Sequence, residues 1–363
     1  SISDLLVIDG ARRWLGGAVL AATLIGVAGL QLALDRDEHA GGEPYALALF
    51  AALGALLMVL ANDGMALFVG VETASLAVYC LVGLRRDRPE ARTGLFHYFV
   101  MGGVFSAVLL YGLALTYGAT GSTQFGKAPI AGRWDLLITG QALMIIGLLF
   151  KIGAVPFHFW SPEAYRGAPA VVTGLMGAVI KVGGITALGA LWLNLLARAS
   201  GTMPDAPLML DQAITLKSIW REHAGLVHLE KALIAVAVVS IVLGNFAALR
   251  ARNVRRLIAY SSVSHAGFML LALACPIAGG ESFHLGSLWL YGVGYAVSTA
   301  ALLVAISALS GRDDADDDLK GLSGQGRAAP FYGLVVTIFQ AIERRDDADD
   351  DLKGLSGQGR AAP

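Results

Sequence analysis

Between Pro169 and Leu196 the chain is apolar with one ionisable side chain, Lys181, and between Leu136 and Pro156 there is again only one, Lys151. Apolar runs of about 18 residues or more are read as membrane-crossing helices. In hydrocarbon every backbone N–H and C=O must find a partner inside the protein, so such a run is confined to helix. Composition agrees: 56% of the 363 residues are hydrophobic and 15% are charged, against about 45–50% and about 25% in a soluble domain. A soluble enzyme, a disordered tail and a nucleic-acid binder are excluded. The formal net charge of −1 argues against a polyanionic partner.

Hydropathy predicts nine spans, near Leu15–Leu34, Tyr45–Leu60, Met65–Leu84, Leu95–Tyr117, Leu136–Trp160, Pro169–Leu196, Ala232–Leu249, Leu257–Ala274 and Leu285–Ser310. Most approach the roughly 20 residues needed to cross about 30 Å of hydrocarbon; Tyr45–Leu60 and Leu257–Ala274 are the shortest. The longest loop, Ala197 to Lys231, has room for a helix lying on the surface. Arg85, Arg86, Arg88 and Arg92 follow the third span, and Arg250, Arg252, Arg255 and Arg256 follow the seventh. Four crossings separate these loops, so both fall on one face, which the positive-inside rule makes cytoplasmic. The amino terminus is then expected on the outer face. Cys80 and Cys275 are far apart and lack metal-ligand spacing, so neither a disulfide framework nor a zinc site is expected. No cationic leader precedes a cleavage site after Ser1, so no signal peptide is expected.

The bundle is expected over residues 1–311, followed by a cytoplasmic loop and partial helix over 312–344. Residues 345–363 repeat 312–330 letter for letter. Structural repeats diverge in sequence and stack as similar units. An identical acidic, Gly-rich segment behaves as neither, and the second copy is read as an artefact.

Ionisable side chains within spans are costly, at least ~2.5–3.5 kcal/mol at the bilayer centre, and each is a functional hypothesis. Glu72 lies within Phe68–Leu76 and reads either as a carboxyl satisfied by hydroxyl neighbours or as the partner of a cation on another helix. Lys151 lies five residues before Pro156, in Gly147–Trp160. A proline breaks a helix, and broken helices persist at membrane depth only where protein or a water-filled cavity satisfies the freed backbone. A lysine beside such a break can be poised between charge states; the alternative is a lysine that snorkels from a helix end. Lys181 is mid-span, where snorkelling is hard in either direction, and Gly177, Gly183 and Gly184 allow close helix approach. His265 follows the polar run Tyr260–Ser264 and reads as a proton relay or as a satisfied core histidine. His97 and His158 fall near predicted helix ends, where interfacial anchoring competes with chemistry.

A carboxylate, two lysines and a histidine on separate spans, with one broken helix, are the parts of an intramembrane proton wire. No Walker motif, dinucleotide loop, paired cysteines or haem-attachment motif is present. No redox centre, nucleotide site, metal or other cofactor is therefore expected in this chain. Energy must come from an ion gradient or from partner subunits.

Phe150–Thr173, with its Trp160-Ser-Pro-Glu-Ala-Tyr-Arg-Gly-Ala-Pro169 core, resembles the signature of the antiporter-like membrane subunits of respiratory complex I. Gly244–Arg250, Arg256–Phe268 and Asp318–Pro330 resemble further blocks of that family. The resemblance implies an all-α polytopic bundle with a broken helix near Pro156. It implies that Glu72 is the carboxylate interacting with Lys151 on the first broken helix, that Lys181 is the central-axis lysine, and that His265 belongs to the polar axis beyond it. The family usually has more helices, so both ends of its fold are expected to be missing. His97 stands where the family often has a lysine, and the exit half of the path has no assignable residues.

The expected protein is thus a proton-translocating membrane subunit of an NADH-quinone oxidoreductase, coupled to quinone reduction in partner subunits. Its expected partners are other membrane subunits of complex I and the lipid bilayer. The rivals are a subunit of a Mrp-type cation/proton antiporter or membrane-bound hydrogenase, and a structural membrane scaffold.

Overall fold

Several helices begin where a polar residue or a proline supplies what a first turn lacks. In the computed structural model, which describes residues 5–34, 41–85, 87–199, 214–215, 224–274, 282–283 and 286–309, the helices are α1 (Gly10–Leu34), α2 (Glu43–Leu60), α3 (Gly64–Val82), α4 (Pro89–Thr120) and α5 (Trp134–Ile152), followed by the short α6 (Ser161–Gly167) and α7 (Ala170–Leu175). A π-helical turn over Met176–Ile180 leads into α8 (Lys181–Ala199), and α9 (Ala224–Leu249), α10 (Val254–Ala274) and α11 (Gly286–Leu309) complete the order. Two residues of the long loop, Ile214–Thr215, pair antiparallel with Ser282–Phe283. The tail from 310 onward, with both copies of the repeat, lies outside the described residues.

Among the described residues nine helices are long and apolar enough to cross a membrane, and they coincide with the nine predicted spans. Boundaries moved where polar residues belong to a helix. Helix α4 starts at Pro89, not near Leu95, because proline is favoured at the first helical position, where its missing N–H costs nothing. Helix α9 starts at Ala224, not Ala232, with His228, Glu230 and Lys231 inside its first turns. Asp63 caps α3, accepting from Met65 N at 2.8 Å and Ala66 N at 3.2 Å, and receives the Thr123 hydroxyl at 2.6 Å.

The largest departure is in the fifth span. It ends at Ile152, before Pro156, because Gly153 takes a left-handed conformation (φ 70°). Its N–H bonds to Phe150 O at 3.0 Å, and the Ala154 N–H bonds to Leu149 O at 3.0 Å. That is a Schellman-type stop, for which glycine is the favoured residue. Pro156 lies beyond the stop on the exposed side of the linker. The freed backbone is satisfied by protein: Ser240 on α9 accepts the Val155 N–H at 2.9 Å, and Trp160 Nε1 donates to Phe150 O at 3.1 Å. This meets the condition for non-helical backbone at membrane depth.

The stretch from Ala170 to Ala199 is buried throughout except at Arg198, which is half-buried. An all-round apolar helix can sit only inside a bundle, and here α8 lies against α2 and α5 while α7 packs on α11. Around it the neighbours form antiparallel pairs, α2 with α3, α4 with α5 and α9 with α10. Lipid tails are as apolar as leucine, so close backbone packing must hold such pairs together. A Cβ on Gly54 would lie 2.4 Å from Ala74 N and 2.6 Å from Gly70 O, and one on Gly112 would lie 2.6 Å from Gly140 O. Gly54→Val is therefore expected to destabilise the protein by about 1–3 kcal/mol through overpacking. Thermal melting in detergent checks this, with Gly103→Ala, whose Cβ would meet nothing within 4 Å, expected to be neutral.

Candidate functional site

Lys151 occupies the last turn of α5, two residues before the Gly153 stop, and is 4% exposed. Its Nζ donates to Ser75 Oγ on α3 at 2.5 Å. The same ammonium lies 5.6 Å from the Tyr79 ring centroid and 5.4 Å from that of Tyr98, within cation–π range. Glu72 is one helical turn from Ser75 on the same helix. It accepts a hydrogen bond from Ser106 of α4. The carboxylate and the ammonium therefore share a polar seam, with Ser75 as the group the lysine touches.

Lys181 opens α8 directly after the π turn and is 3% exposed. Its Nζ donates to the Ser262 carbonyl at 2.5 Å and also to the Ser262 hydroxyl on α10. It lies 5.7 Å from the Tyr295 ring of α11. The His265 ring is 5.0 Å from the Tyr295 ring, and His265 Nδ1 is hydrogen-bonded to the Tyr291 hydroxyl. Lys181, Ser262, His265, Tyr291 and Tyr295 thus form a second cluster at the meeting of three helices.

Trp160 and Tyr165 link the two clusters. The Trp160 ring stacks on Tyr98 with centroids 4.0 Å apart and planes at 6°, and it meets Tyr165 at 6.5 Å. The Tyr165 hydroxyl lies 3.3 Å from where a Cβ on Gly177 would be. Glycine in the π turn thus leaves room for that phenol beside the helix carrying Lys181.

The structure places Glu72 one turn from Ser75, the hydroxyl that Lys151 reaches, and joins Glu72 and Lys151 by no ion pair among the described residues, while Lys181 and His265 share one cluster through Ser262 and Tyr295. It does not bring in His97, which is exposed on α4 beside Phe96 at 6.2 Å. His158 is half-buried in the linker after Gly153; its carbonyl accepts the Ser161 N–H at 2.9 Å, and no hydrogen bond joins its ring to either lysine. Ser75, Ser106, Tyr79, Tyr98, Trp160, Tyr165, Ser262, Tyr291 and Tyr295 are contributors that sequence reasoning left out. Helical spacing held a signal for three of them, since Ser75 and Tyr79 follow Glu72 by three and seven residues and Ser262 precedes His265 by three. Among the described residues no group of His, Cys, Asp and Glu is arranged to hold a metal ion.

Both arginine loops meet at one end of the bundle. Arg256 is ion-paired with Glu163 of α6 at 2.5 Å, and Arg166 of α6 approaches Glu90 at the start of α4 at 3.6 Å. This matches the sequence-based placing of both loops on one face.

The model of the family described as "NADH:quinone oxidoreductase/Mrp antiporter, TM" matches residues 61–210 and 212–342. The chain belongs to that family of transmembrane subunits. Within it, the chain is 33% identical over 345 residues to NADH-quinone oxidoreductase subunit N of Polaromonas naphthalenivorans, covering 92% of this chain and 64% of the relative. It is 35% identical to subunit N 1 of Sorangium cellulosum, covering 90% and 60% of the two chains. Among solved structures, it superposes on a chain of respiratory complex I from Thermus thermophilus with a TM-score of 0.64 and 30% identity, covering 88% of this chain and 63% of that one. A chain of the membrane-bound sulfane sulfur reductase, an archaeal respiratory membrane complex, matches with a TM-score of 0.71 and 26% identity, covering 90% and 61%. A chain of the Mrp complex from Dietzia shares the fold at 20% identity and a TM-score of 0.63, covering 84% and 52%. The chain spans less than two thirds of the length of the curated relatives it matches.

If Ser75 serves to solvate the ammonium, its loss matters only while the charge is present. Ser75→Ala is expected to cost about 1–3 kcal/mol and to cost far less in a Lys151→Met background. A double-mutant cycle on unfolding free energies or melting temperatures checks this coupling.

Proposed function

We propose that this chain is a proton-translocating membrane subunit of an NADH-quinone oxidoreductase, its transport driven by quinone reduction in partner subunits. The observation that carries the reading is the burial of two lysines beside two interruptions of helix, each held by hydroxyls and rings on neighbouring helices. π turns recur at functional sites, and intramembrane cations mark ion pathways.

Protons enter from the face bearing the arginine loops, taken as cytoplasmic. Glu72 and Lys151 form the first station and Lys181 with His265 the second. Tyr98 and Ser264 each bury a polar oxygen without a protein partner, and buried polar groups of this kind are satisfied by water. Water at these oxygens together with the Tyr165 hydroxyl connects the stations. In a low-dielectric interior a charge arriving beside Glu72 or Lys151 shifts the occupancy of its neighbour. Each charge moved against 100 mV requires ~2.3 kcal/mol, which this chain receives through adjoining subunits and not from a cofactor of its own.

The likeness to the sulfane sulfur reductase chain supports a second reading, a subunit of another respiratory membrane complex. The higher identity to subunit N, 33–35% against 26%, favours the first. Co-purification with quinone-reducing subunits separates them.

Lys151→Met and Lys181→Met, introduced into the assembled complex and reconstituted into proteoliposomes, are expected to abolish proton uptake through this subunit, with the complex still intact by gel filtration. Tyr165→Phe is expected to slow it, because the ring is kept and the hydroxyl lost. Unchanged pumping in both lysine variants would establish a scaffold role instead.

A further inference from the structure

The end of the bundle where the arginines gather holds a cavity of about 840 Å³ that the transport reading does not use. Its charged lining is Arg166, Arg250, Arg252 and Arg256, and no carboxylate lines it among the described residues. Two of the four are partly neutralised from outside the cavity, Arg256 by Glu163 and Arg166 by Glu90. Arg250 and Arg252, in the short turn between α9 and α10, are exposed and make no ion pair among the described residues. The cavity therefore carries a surplus of positive charge.

Its other wall is apolar. Leu243 and Phe246 of α9 line it and are 47% and 65% exposed. They continue a stripe of exposed aliphatic side chains on the same helix, Val239 and Val242 above them and Leu249 beyond. Only 22% of the membrane-crossing stretch of α9 is buried, so most of this helix faces outward. Guanidinium groups at the end of a span, opening onto an apolar stripe that runs into the membrane, match a molecule with an anionic head and hydrocarbon tails. Basic pockets between transmembrane helices on the cytoplasmic side bind such head groups, and arginine pairs with phosphate oxygens in a bidentate fork.

We propose that this cavity is a binding site for one anionic phospholipid, its phosphodiester held by Arg250 and Arg252 and its acyl chains lying along Leu243 and Phe246. Arg166 and Arg256, anchored by their carboxylates, shape the site and add to its field. The site is independent of the lysine clusters and stands whether or not this subunit carries protons.

The test is native mass spectrometry of the purified full chain, offered phosphatidylglycerol and phosphatidylcholine of identical acyl composition. Retention of phosphatidylglycerol is expected to exceed that of phosphatidylcholine by about tenfold. Arg250→Gln with Arg252→Gln is expected to abolish the preference, while Arg250→Lys with Arg252→Lys keeps most of it. Equal retention of the two lipids by the wild-type chain overturns the proposal, as does an undiminished preference in the glutamine pair. Displacement of phosphatidylglycerol by millimolar inorganic phosphate alone also overturns it, since the site would then read only a phosphate. A second measurement does not depend on any variant folding. In native membranes, phosphatidylglycerol with a diazirine near the end of an acyl chain is expected to label the α9 peptide containing Leu243 and Phe246. Absence of label there, with that face crosslinked to a neighbouring protein instead, assigns the cavity to a subunit interface and rejects the lipid.

Discussion

An ammonium withdrawn from water has lost its hydration, and the interior around it must return what was lost. Lys151 and Lys181 are both almost wholly buried, and the architecture near each is arranged around that need. Lys151 is served by a serine hydroxyl and two tyrosine faces. Lys181 is served by a carbonyl, a hydroxyl and a tyrosine face. None of these groups is a directly bonded counter-ion. Hydroxyls and π faces stabilise a charge without fixing it as a tight ion pair would.

The two interruptions of helix follow from the same need. A continuous helix consumes its own carbonyls, whereas a helix that stops or shifts register frees polar groups and space. The stop at Gly153 opens the linker through which Trp160 returns to bond the Phe150 carbonyl and stacks on Tyr98. The π turn at Met176–Ile180 sits where Tyr165 presses against Gly177. Each lysine is within a turn of its own interruption, and the aromatic pair Trp160 and Tyr165 spans the interval between them.

Packing in the rest of the bundle has to work without help from a hydrophobic effect between helices. Glycine-on-backbone contacts at Gly54 with Gly70 and Gly112 with Gly140 bring the paired helices close enough for dispersion to hold them. The outer faces keep large apolar residues such as Phe96, Phe99 and Phe246 exposed, as a lipid-facing surface requires. The arginines concentrate at one end, where Arg256 and Glu163 join two segments far apart in sequence.

All nine spans were legible in the sequence because hydrophobic length is a local property, and so was the shared face of the two arginine loops. Glu72, Lys151, Lys181 and His265 stood out for the same reason, as isolated titratable groups within apolar runs. Polar first turns at Pro89 and Ala224 hid the true helix starts. A proline signal drew attention to Pro156 when the stop had already been made by a glycine three residues earlier. The identity of each lysine's neighbours was not legible. Ser75 lies 76 positions from Lys151, Ser262 lies 81 from Lys181, and the stacking of Tyr98 on Trp160 crosses from α4 to the linker. Solvation of a buried charge is decided by whichever side chains the bundle places within about 3 Å of it. One-dimensional spacing says nothing of that distance once the partners sit on different helices. The chain's own order of residues thus determined that charges would be buried in oil, and the tertiary packing alone decided which groups would make that burial tolerable.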